Sequence, residues 1–213
     1  MKILSLMVLL LFVPVTSQAE IGPDQLVREN TQKILGLLKK NKKVYDKDHE
    51  KLFKMVNEVI LPHTDFVVMS KWILGRTVWN KASEDQRQRF VKEFQNLMVR
   101  TYAVALLKYT NEKVIFHPFT AKEGSRRATV KTEVKQSGGG DNVPVIYSFY
   151  YKKGNGWKII DVKIAGISMV TNYRIEYDVR IKRIGLDGLI KSMASGKGAA
   201  IIPKNIANKI NKK

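Results

Sequence analysis

The sequence predicts an α+β fold, a curved antiparallel sheet of four strands packed against several helices. Three observations carry this. Apolar residues recur at helical spacing up to about residue 110, alternate one in two between 114 and 165, and return to helical spacing from 168. Strands grouped between helices, with no βαβ repetition, belong to the α+β class. A chain of 213 residues that is 44% hydrophobic and 27% charged has a globular composition, and its length suits a single domain. There are no cysteines. Disulfide scaffolds, thiolate zinc sites, iron–sulfur clusters and thiol nucleophiles are therefore excluded.

Residues 1–19 are expected to be a cleaved signal peptide. Lys2 supplies a positive start, Ile3 to Val13 is nearly continuous apolar sequence, and Ser17-Gln18-Ala19 places small residues at the positions that a signal peptidase reads. The apolar run is shorter than the ~20 residues a membrane-spanning helix needs. The expected location is outside the cytoplasm, with 20–195 as one domain and 196–213 as a basic, solvated tail. The 38 Lys and Arg against 19 Asp and Glu give a formal charge of +19. A secreted protein so basic is suited to anionic lipid or glycan surfaces more than to nucleic acid.

The helical part covers 24–110. From Asp24 to Lys40, Val27, Ile34, Leu35 and Leu38 form one stripe, with Gly22-Pro23 as entry and Asn41 as exit. A second helix from about Asp48 carries Leu52, Val56, Val59 and Ile60 until Leu61-Pro62 stops it. Thr64 is expected to cap a third, short helix, with Phe66, Met69 and Ile73 on its inner face and Gly75 at its end. Ser83 and Gln86 form a capping box opening the longest helix, about Glu84 to Tyr109. Its first half is amphipathic through Phe90, Phe94 and Leu97. From Leu97 to Leu107 it is apolar on nearly every side apart from Arg100 and Thr101, so more than one face needs cover. That segment is either a central core helix or the wall of an apolar cavity.

The sheet part covers 114–165. Ala128, Val130, Thr132 and Val134 alternate with Arg127, Thr129, Lys131, Glu133 and Lys135, a strand with one solvated face. Ser137 to Asn142 reads as a loose hairpin loop. Val145, Tyr147, Phe149 and Tyr151 then alternate with Ile146, Ser148, Tyr150 and Lys152. Gly154-Asn155-Gly156 turns the chain into a strand in which Ile160, Val162 and Ile164 are expected to face opposite to Ile159, Asp161 and Lys163. Val114 to Phe119 supplies an edge strand, as Pro118 suits. C-terminal helices follow over 168–194, through Val170, Tyr173, Ile175 and Tyr177, past Gly185, to Leu189, Ile190 and Met193.

Motifs for catalysis, metal or nucleotide binding are not found. His49, His63 and His117 are far apart and none sits in His-Glu-x-x-His spacing; no serine lies in Gly-x-Ser-x-Gly. Gly138-Gly139-Gly140 lacks the Lys-Ser/Thr of a phosphate loop. Asp65, Asp161, Glu176 and Asp178 read as ion-pair partners among so many cations. The sequence thus predicts no enzyme, no cofactor and no metal.

Read in series, several segments resemble the MlaC family, the toluene-tolerance proteins. These are Leu61-Pro62-His63-Thr64-Asp65-Phe66, Leu74-Gly75 followed by Trp79, Phe90-Val91-Lys92-Glu93-Phe94, Val99-Arg100-Thr101-Tyr102-Ala103, Trp157-Lys158-Ile159-Ile160-Asp161-Val162, Gly166-Ile167-Ser168 and Asn172-Tyr173-Arg174. The resemblance spans about residues 25 to 193. It implies a periplasmic carrier with an enclosed apolar cavity that takes a diacyl phospholipid between an outer-membrane lipoprotein complex and an inner-membrane ABC transporter complex, maintaining outer-membrane lipid asymmetry. It implies transient docking near membranes and no nucleic acid.

Energetics constrain such a carrier. Each CH₂ left in water costs about 0.8 kcal/mol, so six of them cost about 5 kcal/mol. Both tails must be enclosed while the head group stays wet, within reach of Lys or Arg at the mouth. For the tails the candidates are Met69, Leu97, Met98, Tyr102, Ala105 and Leu106 on the helices, Val130, Phe149 and Val162 on the sheet, and Met169 and Tyr173 beyond it. Methionine suits a pocket for varied chains because its thioether repacks readily. Two other readings fit the composition. A secreted polyanion binder predicts a clustered basic face and steep salt dependence, and a small lipid hydrolase predicts a nucleophile beside a base.

Overall fold

The structure is a computed structural model that describes residues 21–107, 113–135 and 141–196. The expected signal peptide, residues 108–109 of the long helix, the three-glycine loop and the tail after Gly196 lie outside the described residues.

The described residues form five α-helices and a five-stranded antiparallel sheet. Helix α1 (Pro23–Lys47) begins with Pro at its first turn, whose fixed φ suits that position, and runs past the expected exit because Asn41 only kinks it (φ −117°, ψ 16°). The continuation buries Tyr45. Helix α2 (His49–Ile60) is capped by Asp48, whose side chain accepts from the Glu50 and Lys51 N–H groups. A 3-10 turn (Leu61–His63) leads into α3 (Phe66–Lys81). Its cap is Asp65 and not Thr64: Asp65 Oδ1 accepts from the Val68 N–H at 3.0 Å, while Thr64 Oγ1 bonds back to the Ile60 carbonyl. Gly75 does not end α3 but breaks its geometry (φ 70°, ψ 165°), and helix resumes beyond it. Helix α4 (Glu84–Leu107) opens with the expected reciprocal box, Gln86 N–H to Ser83 Oγ at 3.1 Å and Ser83 N–H to Gln86 Oε1 at 3.0 Å.

The strands β1 (Val114–Phe116), β2 (Arg127–Val134), β3 (Val143–Lys152), β4 (Gly156–Ile164) and β5 (Ile167–Ser168) pair antiparallel in sequence order. The fifth strand, absent from the expectation, is too short for alternation to show. It returns along β4 through Ala165 and Gly166, both at positive φ (50° and 85°) as a tight primed turn demands. Helix α5 (Met169–Ala194) follows the sheet and is broken once, at Gly185.

One local feature reverses an expected face. Ser148 lies opposite Asp161 and Phe149 opposite Ile159, so Ile160 is an extra residue, a β-bulge in β4. Ile159 thereby joins Val162 and Ile164 on the inner face, with Trp157, while Ile160 and Asp161 lie on the outer one. Plain alternation had put Ile159 outside. The inner face of β2 and β3 is as expected, with Val130 opposite Tyr147 and Ala128 opposite Phe149.

Three apolar clusters hold the layers together. Helices α3, α4 and α5 share Met69, Ile73, Phe90, Phe94, Leu97, Met169, Tyr173, Tyr177 and their neighbours. There Phe94 meets Tyr173 edge-on at 5.1 Å and Tyr173 meets Tyr177 at 5.3 Å, contacts of about 0.5–1.5 kcal/mol each beyond their burial. Helices α1, α2 and α4 share Leu38, Tyr45, Leu52, Val56, Val99 and Ala103. The start of α1 covers the sheet with Leu26 and Val27 against Val130, Phe149 and Ile159.

Candidate functional site

The second half of α4 is the most unusual surface in the helical layer. Helix α4 packs against α1 and α2 on one side and α3 and α5 on the other, whereas the sheet is reached chiefly by α1, α3 and α5. Within Thr101–Leu107 only Ala103 is buried; Tyr102, Val104, Ala105, Leu106 and Leu107 are half-buried despite being apolar. On the sheet, Ala128, Val145, Tyr147, Val162 and Ile164 are likewise half-covered. Partly covered apolar area costs about 25 cal/mol per Å², so an apolar molecule lying on these side chains would stabilise them by that amount.

This wall is also uncharged. Burial pushes the Tyr102 phenol far above its ordinary value, and Tyr173, to which it is hydrogen-bonded, pushes further, as does Glu176. Tyr147 is raised by burial, opposed by a hydrogen bond with Thr132. Both phenols stay neutral at physiological pH, so neither repels an acyl chain by carrying charge.

The eleven residues nominated from sequence do not form one patch. Met69, Leu97, Met169 and Tyr173 are buried together between α3, α4 and α5, with Met98, Tyr102 and Val162 half-buried at the border of that cluster. Val130 and Phe149 are buried between the sheet and α1, and Val162 touches both groups. Leu106 packs, half-buried, on the α1–α2 cluster, and Ala105 is half-buried outside all three. The partly covered members, Met98, Tyr102, Ala105, Leu106 and Val162, are those with surface left to offer a ligand.

Polar chemistry lies elsewhere. Lys152 Nζ reaches the nearly buried Asp65 at 3.0 Å, and Lys158 Nζ donates to the Pro62 carbonyl at 2.6 Å. These contacts bind the β3–β4 hairpin to the start of α3, beside a pocket of about 300 Å³ also lined by Phe66, Gln95 and Asn155. His117 Nε2 lies 3.0 Å from Glu133 Oε1, whose carboxyl is held low first by Asn142 and then by that histidine. Among the described residues no three of His, Cys, Asp or Glu converge as a metal site would need, and no helix is long and apolar enough to cross a membrane.

A larger groove, about 660 Å³, lies on the outer face of the sheet. Thr129, Ser148 and Asp161 stand in register across it, with Ile160 at the bulge, Ile167, and Val170 and Ile175 of α5; Trp72 of α3 closes one side. Of the eleven nominated residues only Phe149 borders it. Sequence reasoning missed this groove because the bulge cannot be seen in an alternating string. Ile175, apolar on the far side of α5 from Tyr173 and Tyr177, was the available signal.

Comparison with known proteins fits this architecture. The family described as MlaC protein matches residues 28–195. The toluene tolerance protein ttg2D of Pseudomonas putida is 30% identical over 201 residues, covering 92% of each chain. The intermembrane phospholipid transport system binding protein MlaC of Haemophilus influenzae is 26% identical over 190 residues, 88% of this chain and 87% of that one. A phospholipid-binding protein from Ralstonia solanacearum, solved in complex with a phospholipid, superposes with a TM-score of 0.75 at 27% identity, covering 83% of this chain and 97% of the other. Matched over most of its length in sequence and in fold, the chain belongs to the MlaC protein family.

Proposed function

We propose that the chain is a periplasmic phospholipid carrier that moves diacyl phospholipid between the outer and inner membranes and so maintains outer-membrane lipid asymmetry. The observation that carries this is the half-covered, uncharged apolar wall at the end of α4, together with a sheet on which Tyr147, Val162 and Ile164 are half-covered too. The phospholipid held by the Ralstonia solanacearum relative supports the same reading.

In this reading the acyl chains lie against Met98, Tyr102, Ala105, Leu106 and Val162, while Met69, Leu97, Val130, Phe149, Met169 and Tyr173 back the wall as packed core. The carrier exchanges cargo with an outer-membrane lipoprotein complex and an inner-membrane ABC transporter complex. No group in the wall acts as nucleophile or general base, and binding alone accounts for the function.

Native mass spectrometry of the mature protein purified from a periplasmic extract, followed by solvent extraction, tests this. Phospholipid in stoichiometric amount is the expected result. Protein that is empty, and that takes up no phospholipid from vesicles, overturns the reading.

A further inference from the structure

We infer that Trp72, Ile175 and Val179, with the cations Lys71, Arg127 and Lys163 beside them, form a docking surface for an anionic lipid bilayer. Trp72 and Ile175 wall the same outer groove, and Val179 lies one turn along α5 from Ile175. All three are exposed, Trp72 by 38% and the two aliphatic residues by 65% each. The groove beneath them is mixed, with Ile160, Ile167 and Val170 among Thr129, Ser148, Thr171 and Asn172. The groove lies on the face of β4 opposite the one that carries Val162, and this assignment and that of the proposed carrier stand or fall separately.

Charge selects the occupant. Lys71 precedes Trp72 in α3, while Arg127 and Lys163 line the groove; all three are exposed, and among the described residues none is in an ion pair. The carboxylate in the groove, Asp161, is buried and accepts from the Val170 N–H at 3.1 Å. Asp178, beside Val179, is held by Lys182 at 2.7 Å. An anionic surface therefore approaches without meeting an unpaired carboxylate here. A tryptophan with neighbouring aliphatic side chains and cations beside them matches the boundary between head groups and acyl chains. Each Lys or Arg brought near such a surface strengthens binding roughly fivefold. A second copy of the chain fits less well, because a two-fold contact would set these cations against their own copies.

The test is flotation of the full mature protein with vesicles of phosphatidylethanolamine and phosphatidylglycerol, and with vesicles of phosphatidylcholine alone. Wild type should float with the anionic vesicles and lose binding as salt rises. Brominated acyl chains should quench its fluorescence, and Trp72→Phe should remove that quenching. The double change Ile175→Asp and Val179→Asp should lower the bound fraction about tenfold while copurified phospholipid and thermal midpoint stay unchanged, so a failure here is separable from a failure of the carrier reading. If that variant does not fold, Arg127→Gln with Lys163→Gln and the Trp72 quenching decide. Flotation of these variants at the wild-type level places membrane binding elsewhere, the basic tail included, and overturns the proposal. So do equal binding to neutral vesicles and dissociation of a dimer by the double variant with flotation intact.

Discussion

The carboxylate of Asp161 on β4 accepts a hydrogen bond from the backbone N–H of Val170 at 3.1 Å, joining the sheet to the first turn of α5. Ser168 Oγ accepts from the Thr171 N–H at 3.1 Å one residue further on. Two of the N–H groups that every helix start leaves without an intrahelical partner are thus satisfied, one locally and one from the sheet. A negative group at that end also meets the positive end of the helix dipole. Since α5 supplies Met169, Tyr173 and Tyr177 to the largest cluster, this bond sets the position of much of the core.

Asp161→Ala should therefore lower the unfolding free energy by about 1–3 kcal/mol, the cost of leaving a buried donor without its partner. Asp161→Asn should lower it less, because the amide oxygen still accepts. Urea unfolding followed by circular dichroism measures both, and an alanine variant as stable as wild type would remove this bond from the account.

Leu106→Glu tests the acyl wall. Leu106 is half-buried on the α1–α2 cluster, so an added carboxylate has a route to water in the free protein but meets acyl chain when lipid is bound. The expected product is folded and at least tenfold poorer in copurified phospholipid. Loss of the thermal transition would return Leu106 to the core, and full occupancy would place it away from the ligand.

Gly75→Ala should cost about 1–3 kcal/mol, since φ 70° with ψ 165° is a conformation essentially reserved for glycine. Crowding is not the cause, because a Cβ there would meet nothing nearer than an Arg174 nitrogen at 3.7 Å. Gly36→Ala is the control. It sits within α1 with open space around it, and should add about 0.5–1 kcal/mol. Thermal midpoints moving the same way in both variants would contradict the backbone argument.

The His63 imidazole sits below its ordinary value of 6.5, because burial disfavours the charged ring and Lys158 and Lys33 repel it, with Glu29 opposing. The unfolded chain binds a proton there before the folded one does. Stability is accordingly lost as pH falls through 6.5, until the folded form is protonated as well. His63→Gln should flatten this part of the profile. Unfolding curves collected between neutral pH and the carboxylate range show it, and an unchanged slope would assign the loss to another group.

Elements with strong local signals were legible in the sequence. The Ser83–Gln86 box and the alternation of β2 are written in the order of residues, and both occur as read. Helix breaks were harder. Gly75 and Asn41 read as ends, yet the chain resumes helix after each, since packing beyond the break, Tyr45 for α1 and Val78 and Trp79 for α3, outweighs the local preference to stop. The proposed acyl wall was legible only as an excess of apolar faces on α4. Which of those faces stay half-covered depends on how α4 is spaced from the sheet, and no window of sequence contains that distance.

The bulge in β4 gives that strand an uneven tolerance to deletions. Because Ile160 is the supernumerary residue, removing it leaves Ile159 opposite Phe149 and Asp161 opposite Ser148 in plain alternation. Both faces keep their phase, and only the aliphatic side chain beneath the outer groove is lost. Removing Val162 instead lets Ile160 take up the gap, so that Ile159 stays opposite Phe149 but Ile160 falls opposite Ser148 and Asp161 opposite Tyr147, which strands the carboxylate that holds α5 on the wrong side of the sheet. Among related chains, a residue missing from this strand should fall at position 160 and nowhere else in it.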